Sequence, residues 1–297
     1  MRVAIYGAGQ AGTAVAGLLA RRGVAVDGPF GRDGRRAALE SGADVVLIAT
    51  TSFLAEIADD LRTAVAAGSN VLTTAEEAAD PWATDPALAD ALDREARAAG
   101  VTILGAGLNP GFAFDALVLT AMGACVDVRA LRVERVVDLS RFSAAILRRL
   151  GIGFAPDAFA AGVARGAITG HIGFPQSMRV VARALGVEIE RIDRTIEPLL
   201  AGGRSAGFAQ RYVAVVAGAP WFTADFTGHV DPAGAGLVTR DAVEIDATPP
   251  VRLEIAGGLP SQAGSAAVLA NSVARLVAAR PGWVTVAELP PATPTVC

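Results

Sequence analysis

The chain has 297 residues, enough for two domains and a large core. Its net charge of −4 argues against nucleic acid or an anionic membrane surface as the main partner. All 26 basic residues are arginine, which excludes Schiff-base catalysis, pyridoxal phosphate bound through a lysine, and a lysine general acid. Two cysteines, Cys125 and Cys297, cannot build a framework of bridges. Two histidines, His171 and His229, stand outside any H-x-x-H spacing, so no zinc site is expected. The longest uncharged run, Ile255 to Ala274, is interrupted by glycines, Pro260, Gln262 and Asn271 and is not a membrane span. The first predicted strand begins at residue 2, which leaves no room for a signal peptide, and a cytoplasmic location is expected.

The apolar run Val3 to Tyr6 predicts a strand, and Gly12 to Arg22 predicts a helix. Between them lies Gly7-Ala8-Gly9-Gln10-Ala11-Gly12, a G-x-G-x-x-G turn in the context that binds a dinucleotide. The first glycine permits the tight turn, the second admits a pyrophosphate, and the third lets helix and strand pack closely. Val24 to Phe30 predicts a second strand. At its end, where a carboxylate would select NAD, stand Gly31, Arg32, Asp33, Gly34, Arg35 and Arg36. Guanidinium groups suit a 2′-phosphate, so Arg32 and Arg36 favour NADP(H), with NAD(H) held by Asp33 as the alternative.

Asp44 to Thr50 is a continuous apolar run of the kind found in buried parallel strands. Phe53 to Ala67 predicts a helix closed by Gly68, Asn70 to Thr73 a fourth strand, Pro86 to Ala99 a helix ended by Gly100, and Val101 to Leu104 a fifth strand. Alternating strands and helices give a doubly wound parallel sheet of the Rossmann type over residues 1–127. Ligands of such sheets bind at the carboxyl ends of the strands. That places Thr50, Thr51 and Thr74 among the cofactor contacts. The turn Gly105-Ala106-Gly107-Leu108-Asn109-Pro110-Gly111-Phe112 should lie near the nicotinamide.

Beyond Cys125 the pattern changes. Ala130 to Val137 alternates with period two, and Tyr212 to Val216, Trp221 to Thr227, Val243 to Asp246 and Val251 to Ala256 read as further strands. Ser177 to Leu185 predicts a helix. Residues 128–263 are expected to form an α+β substrate and dimerisation domain, an open mixed sheet with helices on one side. Residues 264–297 are expected to hold an alanine-rich helix, Gly264 to Arg280, returning to the first domain, and a frayed tail from Pro290.

The segment Asn70-Val71-Leu72-Thr73-Thr74-Ala75-Glu76-Glu77, the turn through Phe112, and Val133 to Ser140 together resemble the dihydrodipicolinate reductase-like family. So do Gly170 to Ser177, Thr195 to Pro198, Ala266 to Asn271 and Pro281-Gly282. The likeness is nearest to its 2,4-diaminopentanoate dehydrogenase and native amine dehydrogenase branch. It implies NAD(P)-linked chemistry at a carbon–nitrogen bond, in a two-domain homodimer acting on a small imine, amine or ketone. It also suggests Asn271 as a cofactor contact. Two departures stand out: the paired histidines and lysine of the lysine-pathway reductases are missing, and Asn109 occupies the turn near which relatives use a glutamate. Without a carboxylate between Glu95 and Asp115, reduction of a preformed imine is expected over amination with ammonia.

The remaining polar candidates are Asp138 for an iminium or ammonium, Arg141 for a substrate carboxylate, Ser140, and His171 as a neutral donor with a depressed pKa. Gln176, Gln210 and Glu197 follow. Phe112, Phe114, Phe142, Phe154 and Phe174 are candidate pocket walls. A carbonyl reductase, with Tyr212 as proton donor, and a non-catalytic NADP-binding sensor are the competing readings.

Overall fold

The computed structural model describes residues 1–294. The chain divides into two compact units: Met1–Thr120 with Arg179–Ala184 and the chain from Pro260 on, and Ala121–Met178 with Leu185–Leu259.

In the first unit, β1 (Arg2–Tyr6), α1 (Gln10–Arg21) and β2 (Ala25–Phe30) are followed by a 3₁₀ turn (Arg32–Gly34) and α2 (Arg35–Leu39). Then come β3 (Val45–Ile48), α3 (Leu54–Ala66), β4 (Asn70–Thr73), two 3₁₀ turns (Glu76–Ala79 and Pro81–Ala83), α4 (Pro86–Ala99), β5 (Thr102–Gly105) and α5 (Ala116–Met122). β3 is apolar and buried at every position because helices cover both faces of the sheet. α4 starts where the Asp85 carboxylate accepts from Leu88 N (3.0 Å), has Pro86 in its first turn, and stops at Gly100 with φ +71°.

The second unit contributes β6 (Val126–Asp138), α6 (Ala144–Arg149), α7 (Pro156–Ala164) and α8 (Phe174–Ala184), whose last residues from Arg179 count with the first unit. Five strands follow: β7 (Arg191–Ala201), β8 (Arg204–Val216), β9 (Ala219–His229), β10 (Arg240–Thr248) and β11 (Val251–Ala256). The chain ends with α9 (Ser261–Val277), β12 (Gly282–Val284) and a 3₁₀ turn (Val286–Glu288).

The first sheet has the order β12-β5-β4-β3-β1-β2, and every pairing in it is parallel. Its strand order reverses between β1 and β3, the place where such sheets open a crevice for a nucleotide. One face is packed by Leu39, Ile57, Leu61, Leu92 and Trp283, the other by Val15, Leu19, Leu269, Val273 and Leu276. Among the described residues no helix is long and apolar enough to cross a membrane.

The second sheet has the order β11-β10-β6-β9-β8-β7, with β6 and β9 parallel and the other pairs antiparallel. Asp241, Arg135, Phe226, Gln210 and Ile196 stand in register across five strands and share one face. That face is buried, with Phe208, Tyr212 and Phe222 beside them. The opposite face is polar: Asp225 bridges Arg132 (3.0 Å) and Arg211 (2.6 Å), and Arg240 pairs with Glu134 (2.9 Å).

Two elements depart from the sequence reading. β7 is an additional strand, and it sits at the sheet edge with Arg191, Asp193, Arg194 and Pro198, so it lacks clean alternation. α9 stops at Val277 rather than Arg280, and the chain then inserts β12 beside β5. Three residues are too few for a periodic signal, yet Trp283 is fully buried and its indole N–H donates to Ala78 O (3.2 Å). Trp283→Ala is expected to cost about 3–5 kcal/mol through the cavity it opens. Urea unfolding should show this, and a loss below 1 kcal/mol would mean that β12 is not part of the cooperative core.

Candidate functional site

At the carboxyl edge of the first sheet, backbone meets backbone. Gly7 has φ +126°, and a Cβ there would lie 2.2 Å from Ala49 O; one at Gly12 would lie 1.9 Å from Gly7 O. Gly7 N donates to Phe30 O (2.9 Å) and Ala49 N to Tyr6 O (2.7 Å), so the turns after β1, β2 and β3 are tied together. A Cβ on Gly9 meets nothing within 4 Å, and Gly9 provides no side-chain cap for α1. Open space thus faces the uncapped N–H groups of the helix beginning with Gln10 and Ala11, a fit for a pyrophosphate.

The other predicted cofactor residues divide. Thr50 is exposed after β3, while the Thr51 hydroxyl donates to Glu56 (2.6 Å) and accepts from Phe53 N (3.4 Å) at the start of α3. Thr74 N donates to Ile48 O (3.0 Å). Arg32 is exposed at the end of β2 and has no ion pair among the described residues, whereas Arg35 is tied to Asp60 (2.5 Å) and Arg36 to Glu40 (2.8 Å). Of the two arginines read as phosphate ligands, Arg36 is therefore the one already engaged. Asn271, within α9, has a buried Oδ1 with no partner.

The turn after β5 is built rigidly. Leu108 N donates to Ser265 Oγ (3.2 Å), Ala113 N to Leu108 O (2.8 Å), and Gly111 N and Ala116 N to the buried Asp115 carboxylate (2.8 and 2.7 Å). Asn109 is only 9% exposed, and neither its Oδ1 nor its Nδ2 has a partner. Phe112 is half-buried and Phe114 is core. A Cβ on Gly105 would fall 2.3 Å from Ala78 O, so the β5 turn lies directly against the segment Glu76–Ala79. Pairing of β4 with β5 brings the segment that carries Glu76 and Glu77 to the same edge of the sheet as the end of β5. Glu77 accepts from Leu54 N (2.8 Å) at the start of α3, and Glu76 stands beside it, partly exposed.

In the second unit His171 precedes α8. Its ring lies 4.8 Å from that of Phe174 and 4.9 Å from that of Phe226. Burial, with the Arg135 charge next, depresses its pKa to about 3. Its Nδ1 is buried and has no partner. Gln210, 2% exposed, holds the His171 backbone at both ends: Oε1 accepts from His171 N (2.8 Å) and Nε2 donates to His171 O (3.1 Å). Nε2 also donates to Tyr212 OH (3.2 Å). Gln210 therefore positions His171, a role the sequence reading did not give it. Arg135, which the sequence reading did not single out, is 2% exposed and paired with Asp241 (3.2 Å) and Leu259 O (3.1 Å). Its Nη1 is left without a partner.

Asp138, Ser140, Arg141 and Phe142 form a turn at the end of β6. Asp138 accepts from Ser140 N (2.8 Å), and the Ser140 hydrogen bonds hold its carboxyl below the usual range. Asp138, Ser140 and Arg141 are exposed, a setting that suits a turn-forming Asp better than a base in a dry site. Phe174 is fully buried core, Phe154 is half-buried, and Gln176 is buried in the first turn of α8. Glu197 lies with Arg132 and Arg211 on the polar face, across the sheet from His171.

An unfolded chain protonates His171 below about pH 6.5, the folded chain only below about 3, so the fold loses stability as pH falls through that window. The slope from this group is at most ~1.4 kcal/mol per pH unit. With two histidines in the chain, NMR should show one imidazole that stays neutral from pH 8 to 5. Titration of both rings near 6.5 would contradict the burial of His171.

Residues 112–296 match the family model described as the 2,4-diaminopentanoate dehydrogenase C-terminal domain. The chain is 33% identical over 264 residues to a 2,4-diaminopentanoate dehydrogenase of Acetoanaerobium sticklandii, covering 84% of this chain and 75% of the relative. Among solved structures, an amine dehydrogenase from Mycobacterium smegmatis superposes with a TM-score of 0.85 at 23% identity, covering 99% of this chain and 97% of that one. A scyllo-inositol dehydrogenase from Lactobacillus casei shares the broader fold, with a TM-score of 0.54, 14% identity and coverage of 94% and 87%. Together with the glycine turn and the parallel sheet that carries it, these likenesses mark an α/β oxidoreductase, and the chain belongs to the 2,4-diaminopentanoate dehydrogenase family.

Proposed function

We propose that this chain is an amine dehydrogenase that oxidises the amine of a small amino acid to a carbonyl group, or runs the reverse amination, with NADP(H) as its favoured cofactor. The observation that supports this reading is the contact between Gly105 and Ala78, which brings the segment that carries Glu76 and Glu77 to the end of β5. A dinucleotide held at the Gly7–Gly12 turn would supply the acceptor for the hydride that leaves the carbon bearing nitrogen. The resulting iminium must then add water and release ammonia. Glu76 is the carboxylate assigned to take the proton from that water, while Glu77 orders the start of α3. With this base in place, amination with free ammonia is within reach of the chain, and reduction of preformed imines is no longer the preferred expectation.

The substrate class rests on Arg135 and His171. A buried guanidinium with an unspent Nη1, near a buried imidazole with an unspent Nδ1, suits a carboxylate. The curated relative is named for 2,4-diaminopentanoate, an amine that carries one. The carbonyl reductase reading loses support, because burial raises the pKa of Tyr212, its candidate proton donor.

The test is the oxidation of 2,4-diaminopentanoate beside the same diamine lacking the carboxyl group. The acid should be turned over at lower KM. Glu76→Gln should lower kcat by roughly 10²–10⁴. Glu77→Gln should cost about 1 kcal/mol of stability while kcat stays within a few-fold. Full activity in Glu76→Gln would remove it as the base, and no turnover of either amine would remove the amine dehydrogenase reading.

Cofactor choice is assigned to Arg32, the unpaired guanidinium at the end of β2. A charge-assisted phosphate contact contributes about 1.5–3 kcal/mol. Arg32→Ala is therefore expected to weaken NADPH binding by roughly ten- to a hundredfold and to leave NADH nearly unchanged. Equal losses for both would refute the assignment.

A further inference from the structure

The amide of Asn109 is the least satisfied polar group in the β5 turn. It is buried, yet its Nδ2 donors and its Oδ1 acceptor both lack partners. Leaving a buried amide unpaired costs about 1–3 kcal/mol per group. Nothing in the local fold requires an amide here, because the turn is closed by Ser265, Asp115 and backbone groups. A leucine would fill the position without that penalty. The group is therefore arranged for a ligand.

The chemistry of that ligand can be narrowed. A phosphate or carboxylate offers acceptors alone and would satisfy only Nδ2. An ammonium offers donors alone and would satisfy only Oδ1. A primary amide offers both and pairs with an asparagine through two antiparallel hydrogen bonds. Asn109 follows β5, three strands from the glycine turn after β1 in the order β5-β4-β3-β1. Three strand spacings are about 14 Å. That is a span suited to the nucleoside half of a dinucleotide whose pyrophosphate lies at Gly9.

We infer that the Asn109 side chain holds the carboxamide of the nicotinamide ring, and is a positioning residue for the cofactor rather than a stand-in for a base. The inference rests on the cofactor reading above. It goes further by assigning one side chain to one functional group of the dinucleotide.

The test measures binding, not turnover. Dissociation constants are obtained by calorimetry for NADP⁺ and for its 3-acetylpyridine analogue, in which a methyl ketone replaces the amide. The analogue keeps the acceptor and lacks the N–H donors. Wild-type protein should bind NADP⁺ roughly five- to tenfold more tightly than the analogue, the worth of one neutral hydrogen bond. Asn109→Leu should bind the two with equal affinity, close to that of wild type for the analogue or weaker. Asn109→Asp keeps the shape and the acceptor oxygen for the carboxamide N–H, so it should retain the preference for NADP⁺ over the analogue that Asn109→Leu loses. Each variant's unfolding midpoint is recorded beside its affinity, and Asn109→Leu should be at least as stable as wild type without nucleotide. A preference for NADP⁺ that survives in Asn109→Leu overturns the inference and leaves the cofactor reading standing. Failure of wild-type protein to bind either nucleotide overturns both.

Discussion

The close approach of backbone at the carboxyl edge of the first sheet is the constraint on which the proposed chemistry depends. No side chain can be inserted at Gly7 or Gly12 without striking Ala49 or Gly7 itself. Because the turns after β1, β2 and β3 are hydrogen-bonded to one another, the N-terminus of α1 is held at a fixed height above the strand ends. A loop with freer glycines would present the same N–H groups without fixing where they point. The second glycine of the turn, Gly9, is different in kind: a Cβ there would meet nothing within 4 Å, and that space is what an anion would fill.

The same principle, backbone against backbone, brings the β4 loop to the β5 turn. This is the feature that a linear reading could not anticipate. In sequence, Glu77 and Asn109 are separated by α4 and β5, and a search for a carboxylate near residue 109 finds only Asp115. Asp115 is committed to the N–H groups of its own turn. Parallel pairing of β4 with β5 carries the residues after Thr73 to the same edge as those after Gly105. Pairing register is a property of the folded sheet, and only Gly105 itself hints at it, as a strand-end residue that tolerates no Cβ.

The Rossmann half was legible because its signals are local. Continuous apolar strands, Asp85-Pro86 at a helix start and Gly100 at its end are each read within a few residues. The second unit was legible as alternating strands but not in its details. β8 is buried on one side and exposed on the other, and Tyr212 to Val216 gave it away. Gln210 sits on the same buried face, and a polar residue there reads equally well as a ligand contact. Only its three hydrogen bonds, two of them to the His171 backbone, identify it as a support. Arg135 was hidden for the opposite reason. Within L-R-V-E-R-V strict alternation puts Arg135 on the face of Leu131 and Val133, but an arginine reads as a solvent-facing residue, and only the register shows it meeting Asp241.

Burial first, and that inward arginine second, explain why a histidine here is a donor or acceptor and not a proton shuttle near neutral pH. Two positive groups in a desolvated region repel, and Arg135 cannot give up its proton, so His171 remains neutral. Asp241 offsets part of the arginine charge, and burial in turn pushes the Asp241 pKa upward against that partner. The pair is held together at some cost in desolvation and is weak evidence for stability by itself. Its value lies in direction. The carboxylate and Leu259 O engage Nε and Nη2, which leaves Nη1 as the unspent donor. A neutral imidazole can donate to the carboxylate proposed above, beside Arg135, without adding a second buried cation.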